Sequence, residues 1–242
     1  MTESLAARYD VQTARWDDAH RWSPAPRFRR KIILSLLGRL RFDSLMEVGC
    51  AQPYLLAEIA RRFPACHLAG ADIAAPVIEQ NRRLFPSIEF QRIDIQTERL
   101  PRPYDVVICS EVLEHLPDYP AALRNLKSSG LKHLIVTVPA SPLFPIDRHV
   151  GHVRHFPGRA LERALETEGF RVLESRQWGF PFHTLYKLLI NKTDPDAFVR
   201  AFSEGRYDLK KRLLSEVVYR VFHLNLYRLG WQKIVLAGVT NS

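Results

Sequence analysis

Residues 44–72 constrain this chain more than any other stretch. Ser44-Leu45-Met46-Glu47-Val48 reads as a buried strand that turns at Gly49. Leu55-Leu56-Ala57-Glu58-Ile59-Ala60 then has helical apolar spacing, and Arg61-Arg62 gives a basic end that suits the helix dipole. A second strand, His67-Leu68-Ala69-Gly70-Ala71, delivers Asp72. The spacing predicts a β-turn-α-β unit with a small-residue turn and an acidic residue at the tip of its second strand. Glycine at position 49 lets backbone N–H groups come close to a ligand, and the helix N-terminus favours a carboxylate or phosphate there. Asp72 lies about 20 residues on, as a carboxylate must to accept hydrogen bonds from a ribose diol.

The alternation continues downstream. A helix is expected over about 76–85, then a strand over 88–93 that ends at Asp94-Ile95. Tyr104 to Ser110 is a nearly continuous apolar run, as in a central parallel strand, and Leu131 to Val138 is another. A helix between Gly158 and Gly169 precedes a strand over Phe170 to Trp178. Strands alternating with helices predict an α/β fold built on a doubly wound sheet. Upstream, a helix is expected over 3–20 and a break at Ser23-Pro24-Ala25-Pro26. A second helix is expected from Arg27 to Leu40, with Phe28, Ile32, Ile33, Leu36 and Leu37 as its apolar face. Its start carries Arg27, Arg29, Arg30 and Lys31. Positive charge is unfavourable at a helix N-terminus, so these residues suit either an anionic partner or a solvated face.

Composition narrows the class. The chain has 242 residues, 46% of them hydrophobic, enough for a sizeable core in one domain or a domain with a cap. No secretory apolar segment opens it, and no run approaches the ~20 apolar residues of a membrane span. Cys50, Cys66 and Cys109 lack ligand spacing and suit free thiols in a reducing cytoplasm, so a cytoplasmic location is expected. The net charge of +9 is unevenly spread. Residues 45–180 carry 16 basic and 16 acidic side chains, whereas 1–44 carry 9 and 5 and 181–242 carry 10 and 5. The basic excess therefore belongs to the two ends, with Lys210, Lys211 and Arg212 its densest late cluster.

The turn after the first strand also selects among nucleotides. A dinucleotide site uses G-x-G-x-x-G, and here only Gly49 is present, with Ala51 and Pro53 at the later small positions. Glu47-x-Gly49-x-Ala51 resembles the first motif of class I S-adenosylmethionine-dependent methyltransferases, though it lacks their second and third glycines. Ser110-Glu111-Val112-Leu113-Glu114-His115-Leu116 closely resembles the same family's fourth-strand motif. The resemblance implies a Rossmann-like, seven-stranded sheet whose last strand, near 230–237, is antiparallel. It implies S-adenosylmethionine as cofactor, held by Glu47, Gly49, Ala51, Asp72, Ile73, Asp94, Ile95, Ser110 and Glu111. Glu111 would lie near the methionine end or cap the following helix.

The stretch Asp147 to Pro157 resembles the His-x-Arg-x-Phe segment that lines the substrate mouth in many small-molecule members. His149 and His152 are the candidate bases for an acceptor hydroxyl. His115, on the face of Glu111 if that segment is helical, is a third candidate or a packed histidine. Arg154 either contacts substrate or anchors the loop. No metal is expected: Gly151 and Pro157 argue against a helix presenting the histidines together, and no cysteine or carboxylate cluster completes a site.

About fifty residues replace the family's last hairpin, with helices expected near 182–190, 195–203 and 207–224. They are rich in aromatics, and His183 and Tyr186 are candidate substrate contacts. The organisation expected is an N-terminal helical cap over 1–43, a core over 44–180, a helical cap insertion over 181–225 and the last core strand over 226–242. The cap helices would cover the strand ends or simply enlarge the core. The expected reaction is O-methylation of a small-molecule acceptor, with N- or C-methylation as alternatives. The basic flanks suit an anionic acceptor or surface. A nucleic-acid methyltransferase is disfavoured, since no Asn/Asp-Pro-Pro-Tyr/Phe motif follows the fourth strand. A cofactor-binding protein without methyl transfer is the remaining alternative.

Overall fold

The computed structural model describes residues 17–198 and 206–239. Most of the helix expected over 3–20 lies outside them, as does the end of that expected over 195–203. Seven strands form one sheet in the order β3-β2-β1-β4-β5-β7-β6. These are β1 (Ser44–Val48), β2 (His67–Asp72), β3 (Glu89–Arg92), β4 (Val106–Ser110), β5 (His133–Pro139), β6 (Phe170–Trp178) and β7 (Gln232–Val239). The first five strands are parallel, and β7 lies antiparallel between β5 and β6.

Strand periodicity sends alternate side chains to opposite layers. On one face Met46, Val107, Leu134 and Val235 pack against Leu123 and Leu126 of the helix Tyr119–Ser128 and Leu161 and Leu165 of the helix Ala160–Thr167. On the other, Leu45, Val106, Ile135 and Ile234 meet Leu56 and Ile59 of the helix Tyr54–Arg62 and Ile78 of the helix Ala75–Leu84. The chain winds from β1 outward through β2 and β3, then crosses back to β4 on the other side. The crevice between the β1 and β4 carboxyl ends is the switch point where such sheets bind ligands.

The second face gains a further layer. The break expected at Ser23-Pro24-Ala25-Pro26 is confined to Ser23: the helix Asp17–Trp22 ends before it, Ser23 is extended, and Pro24 opens the helix Pro24–Leu37. Proline costs little at this first position, where its missing N–H has no helical acceptor. Phe28 is fully buried, its ring centroid 4.9 Å from that of Trp178 and 6.2 Å from that of Phe222, on the helix Leu209–Phe222. These helices thus enlarge the core, while the first of them also sends Ala25, Pro26, Arg29 and Arg30 to a cavity at the strand ends.

The segment after β4 is irregular, so Glu111 and His115 do not share a helix face. The next helix begins at Tyr119 and is capped by Asp118, which accepts a hydrogen bond from the Ala121 N–H at 3.0 Å; Glu111 is not its cap. No helix among the described residues is long and apolar enough to cross a membrane. Cys50, Cys66 and Cys109 are free thiols.

Candidate functional site

A cavity of about 430 Å³ opens at the carboxyl ends of β1, β2 and β4. Its wall includes every residue expected on the cofactor side: Glu47, Gly49, Ala51, Asp72 and Ile73 from the first unit, then Asp94, Ile95, Ser110 and Glu111.

The turn after β1 is held by backbone. Gly49 has φ +71°, and a Cβ there would lie 2.3 Å from Val112 Cγ2. Both reasons demand glycine. The N–H groups of Gly49 and Cys50 donate to the Ala71 carbonyl at 2.8 and 3.0 Å, so the glycine serves the approach of Val112 rather than exposing these donors. Ala51 has φ +38°, uncommon without glycine. Its N–H donates to Asp72 Oδ2 at 2.9 Å, and its carbonyl accepts from Asn81 Nδ2 at 2.8 Å. Asp72 Oδ1 accepts from the Ala74 N–H at 3.0 Å. Asp72 therefore ties the two strand ends together at the cavity wall.

Glu47 is buried beneath this turn, and its Oε2 has no hydrogen-bond partner among the described residues. Burial, opposed by Arg30 and Arg29 and reinforced by Asp72, pushes its pKa up to about 8. At neutral pH it is mostly a neutral acid.

Across the cavity, side chains hold side chains. Glu111 has φ +56°, and its N–H donates to the Thr137 carbonyl at 2.9 Å. Glu111 Oε1 accepts from Thr137 Oγ1 at 3.1 Å, and Oε2 lies 2.9 Å from Arg29 Nη1. Arg29 and Glu111 are each largely buried, so this pair is screened far less than a surface one. Arg30 pairs with Glu58 at 2.8 Å and Arg27 with Glu216 at 2.9 Å. The positive start of the helix is thus balanced by carboxylates from three other segments.

The loop 152–155 is clipped onto 114–117. The Val153 N–H donates to the Glu114 carbonyl at 2.9 Å, and the Arg154 guanidinium bonds the carbonyls of Leu116 and Pro117. Arg154 is thereby a loop anchor and does not line the cavity. The clip brings His152 and His115 together on the wall, ring centroids 4.6 Å apart. His152 Nδ1 lies 2.8 Å from His155 Nε2, and His155 Nδ1 lies 3.0 Å from the Ser141 carbonyl. A carbonyl only accepts, so His155 carries its proton on Nδ1, His152 donates from Nδ1, and the lone pair of His152 resides on Nε2. Burial, with His115 and His155 next, lowers the His152 pKa to about 2.

Two other expected residues stand elsewhere. His149 ends a short helix and faces Asp196 at 3.3 Å, outside the cavity wall. His183 is buried 5.0 Å from the Trp178 ring centroid; burial holds it neutral, with a pKa lowered to about 3. Tyr186 does reach the cavity.

The reason for expecting no metal also changes. Glu114, His115 and His152 offer ligand atoms within 4.8 Å of one another, as do Asp147, His152 and His155, so carboxylates do join the histidines. Glu114 was visible beside His115 in the sequence, but only the 152–155 clip shows that they converge with His152. Arg29 stood out as charge; its inward direction depends on packing around Phe28.

The family model described as Methyltransferase domain matches residues 20–175, and the chain belongs to that family, the S-adenosylmethionine-dependent class I methyltransferases. S-adenosylmethionine is its cofactor. The chain is 25% identical over 170 residues to a trans-aconitate 2-methyltransferase from Azoarcus sp., covering 67% of this chain and 65% of the relative. It is 31% identical over 84 residues to a malonyl-[acyl-carrier protein] O-methyltransferase from Bacillus cereus, covering 34% and 31%. It therefore spans less than two thirds of the length of either relative. The crystal structure of the N-methyltransferase NodS from Bradyrhizobium japonicum, in complex with S-adenosyl-L-homocysteine, superposes with a TM-score of 0.62 at 17% identity, covering 99% of this chain and 100% of that one. At that identity the likeness is one of fold.

Proposed function

We propose that the protein transfers the methyl group of S-adenosylmethionine to an oxygen of a small anionic acceptor, with a carboxylate the favoured acceptor group. The observation that carries this reading is Arg29, which reaches the cavity wall and lies 2.9 Å from Glu111. A guanidinium matches carboxylate geometry through two parallel N–H bonds, and an entering carboxylate can share or replace Glu111 as its partner. The relatives named for trans-aconitate and for malonyl-acyl carrier protein act on carboxylic acids, which supports the same choice.

On the cofactor side, Asp72 is assigned to the ribose hydroxyls, Asp94 and Ile95 to the adenine, and Glu47 and Glu111 to the methionine end. Gly49, Ala51, Ile73 and Ser110 supply the close wall. The reaction is an in-line displacement: the acceptor oxygen forms a bond to the methyl carbon as the sulfonium–carbon bond breaks, leaving S-adenosylhomocysteine. The enzyme's share is mainly alignment. A carboxylate arrives ionised and needs no base. A hydroxyl acceptor would need one, and His152 and His115 are the wall histidines able to receive the proton. The low proton affinity of His152 favours the ionised acceptor.

The test is formation of S-adenosylhomocysteine with a panel of small mono-, di- and tricarboxylic acids, their amides, and neutral alcohols. Carboxylates are expected to turn over and amides not. Turnover confined to neutral alcohols or amines would overturn the assignment.

A further inference from the structure

We propose that Glu114, His115 and His152 bind one divalent transition-metal ion in the wall of the cavity, beside Glu111. The first observation is the convergence of one carboxylate and two imidazoles, with ligand atoms within 4.8 Å of one another. Around an ion at metal–ligand distances near 2.1 Å, ligand atoms sit roughly 3–3.6 Å apart. Closing the difference takes side-chain rotation on the order of 1 Å and no change of fold.

The second observation is independent of that spacing. Glu114 is completely buried, and neither carboxylate oxygen has a hydrogen-bond partner among the described residues. The cations nearby are engaged: Arg29 pairs with Glu111, and Lys187 pairs with Asp147. A carboxylate in such a place must hold a proton or meet a cation, because burying it bare costs several kcal/mol.

Of the two overlapping triads, this one holds the carboxylate whose two oxygens lack a hydrogen-bond partner among the described residues. Asp147 accepts from the Phe144 N–H at 3.0 Å and pairs with Lys187, while His155 is fixed between Ser141 and His152. Asp147 and His155 thus form the outer support. His155 Nε2 lies 3.7 Å from Asp147 Oδ2 and accepts the hydrogen bond donated by His152 Nδ1, leaving the Nε2 lone pair of His152 as the ligand atom. Metal-bound histidines are oriented this way by a partner on the other ring nitrogen.

The donor set names the ion class. Two imidazoles and one carboxylate suit Zn²⁺, Co²⁺, Mn²⁺ or Fe²⁺, whereas Ca²⁺ and Mg²⁺ prefer oxygen ligands. Three protein ligands leave a position for water or for an acceptor oxygen, and His115 and His152 face the cavity. Resting on the methyl-transfer reading above, such an ion would hold the acceptor oxygen in the cavity that Arg29 also lines.

The experiment reads metal without turnover. Chelator-treated full-length protein is titrated with Co²⁺ and followed by its visible ligand-field absorption, with bound metal counted by mass spectrometry and melting measured with and without Zn²⁺. The wild type is expected to bind about one ion per chain and to melt higher with Zn²⁺. Glu114→Gln should weaken Co²⁺ binding at least about 100-fold while keeping S-adenosylhomocysteine affinity, which verifies its fold. His155→Ala should weaken binding about 10–100-fold through loss of outer support. His149→Ala, outside the cavity, should bind as the wild type does. A wild type without stoichiometric binding, or a Glu114→Gln protein that binds as tightly, would overturn the proposal. A failed titration leaves the carboxylate panel intact, and a failed panel leaves the titration intact.

Discussion

At the end of the cavity beneath β1 and β2, polar groups are held by backbone. Asp72 receives the N–H groups of Ala51 and Ala74, and Gly49 and Cys50 are pinned to the Ala71 carbonyl. At the end beneath β4 and the 150–155 loop, side chains hold side chains: Arg29 with Glu111, His152 with His155, Lys187 with Asp147. Backbone-held geometry changes little when one side chain is replaced, unless the replacement strains the turn itself. Side-chain geometry can be respecified one residue at a time. The first end suits a fixed cofactor and the second an acceptor that differs between relatives.

Strain in the turn should give the largest effect. Gly49→Ala places a Cβ 2.3 Å from Val112 Cγ2 and holds alanine at φ +71°. The left-handed backbone costs about 1–2 kcal/mol and the overlap about 1–3 kcal/mol. Thermal unfolding and S-adenosylhomocysteine binding should both suffer. The double variant with Val112→Ala should recover the steric share only, a coupling that a double-mutant cycle measures. Full recovery would show that the turn is not backbone-limited.

Asp72→Ala comes next. It removes two anchors of the turn and the carboxylate assigned to the ribose, and should weaken cofactor binding by about 1.5–3 kcal/mol. Equal affinity by calorimetry would remove Asp72 from the cofactor end.

Arg29→Ala should act mainly on the other end. The acceptor KM is expected to rise roughly 10–100-fold with a clearly smaller loss of cofactor affinity, because Glu111 at the methionine end loses its ion-pair partner, and Arg29→Lys should recover part of the loss as a point charge without the fork. Loss of cofactor affinity equal to loss of acceptor affinity would erase the distinction between the ends.

The same distinction explains what was legible in the sequence. Glu47, Gly49 and Asp72 lie within one β-turn-α-β unit, so strand period, turn and acidic tip could be read from contiguous residues, and Asp94 and Ser110 follow at later strand ends. The sheet, including its antiparallel last strand, was legible for the same reason and from the resemblance. The end proposed for the acceptor is assembled across long separations. Arg29 meets Glu111 only because Phe28 docks its helix against Trp178, and His152 meets His115 only because backbone from Val153 reaches Glu114. His149 shows the converse: it shares a loop with His152 yet faces Asp196. Spacing along an irregular loop carries no period from which direction could be inferred.

Glu47 gives the smallest and most specific test, because it is the one buried acid at the backbone-held end with an oxygen left unpaired among the described residues. Its pKa rises from the ordinary 4.5 to about 8, chiefly through burial. Below about pH 4.5 both the folded and the unfolded chain hold this proton, and the site adds no pH dependence. Between about 4.5 and 8 the unfolded chain has released it while the fold retains it, so the unfolded state binds fewer protons and this group's contribution to stability falls as pH rises. Above about 8 the contribution levels off. Urea unfolding should therefore lose stability across that window in the wild type, and Glu47→Gln should flatten this part of the profile. The cofactor supplies a second handle. S-adenosylmethionine carries positive charge on its sulfonium and amino groups, and a cation near Glu47 favours the ionised form. Binding should then release a fraction of a proton at pH 7, and affinity should increase modestly with pH. Calorimetry in two buffers of different ionisation enthalpy reads the proton directly. S-adenosylhomocysteine, which lacks the sulfonium, should release less, and Glu47→Gln none. A proton count that is the same for both ligands and unchanged in the variant would place the cofactor's charge away from Glu47.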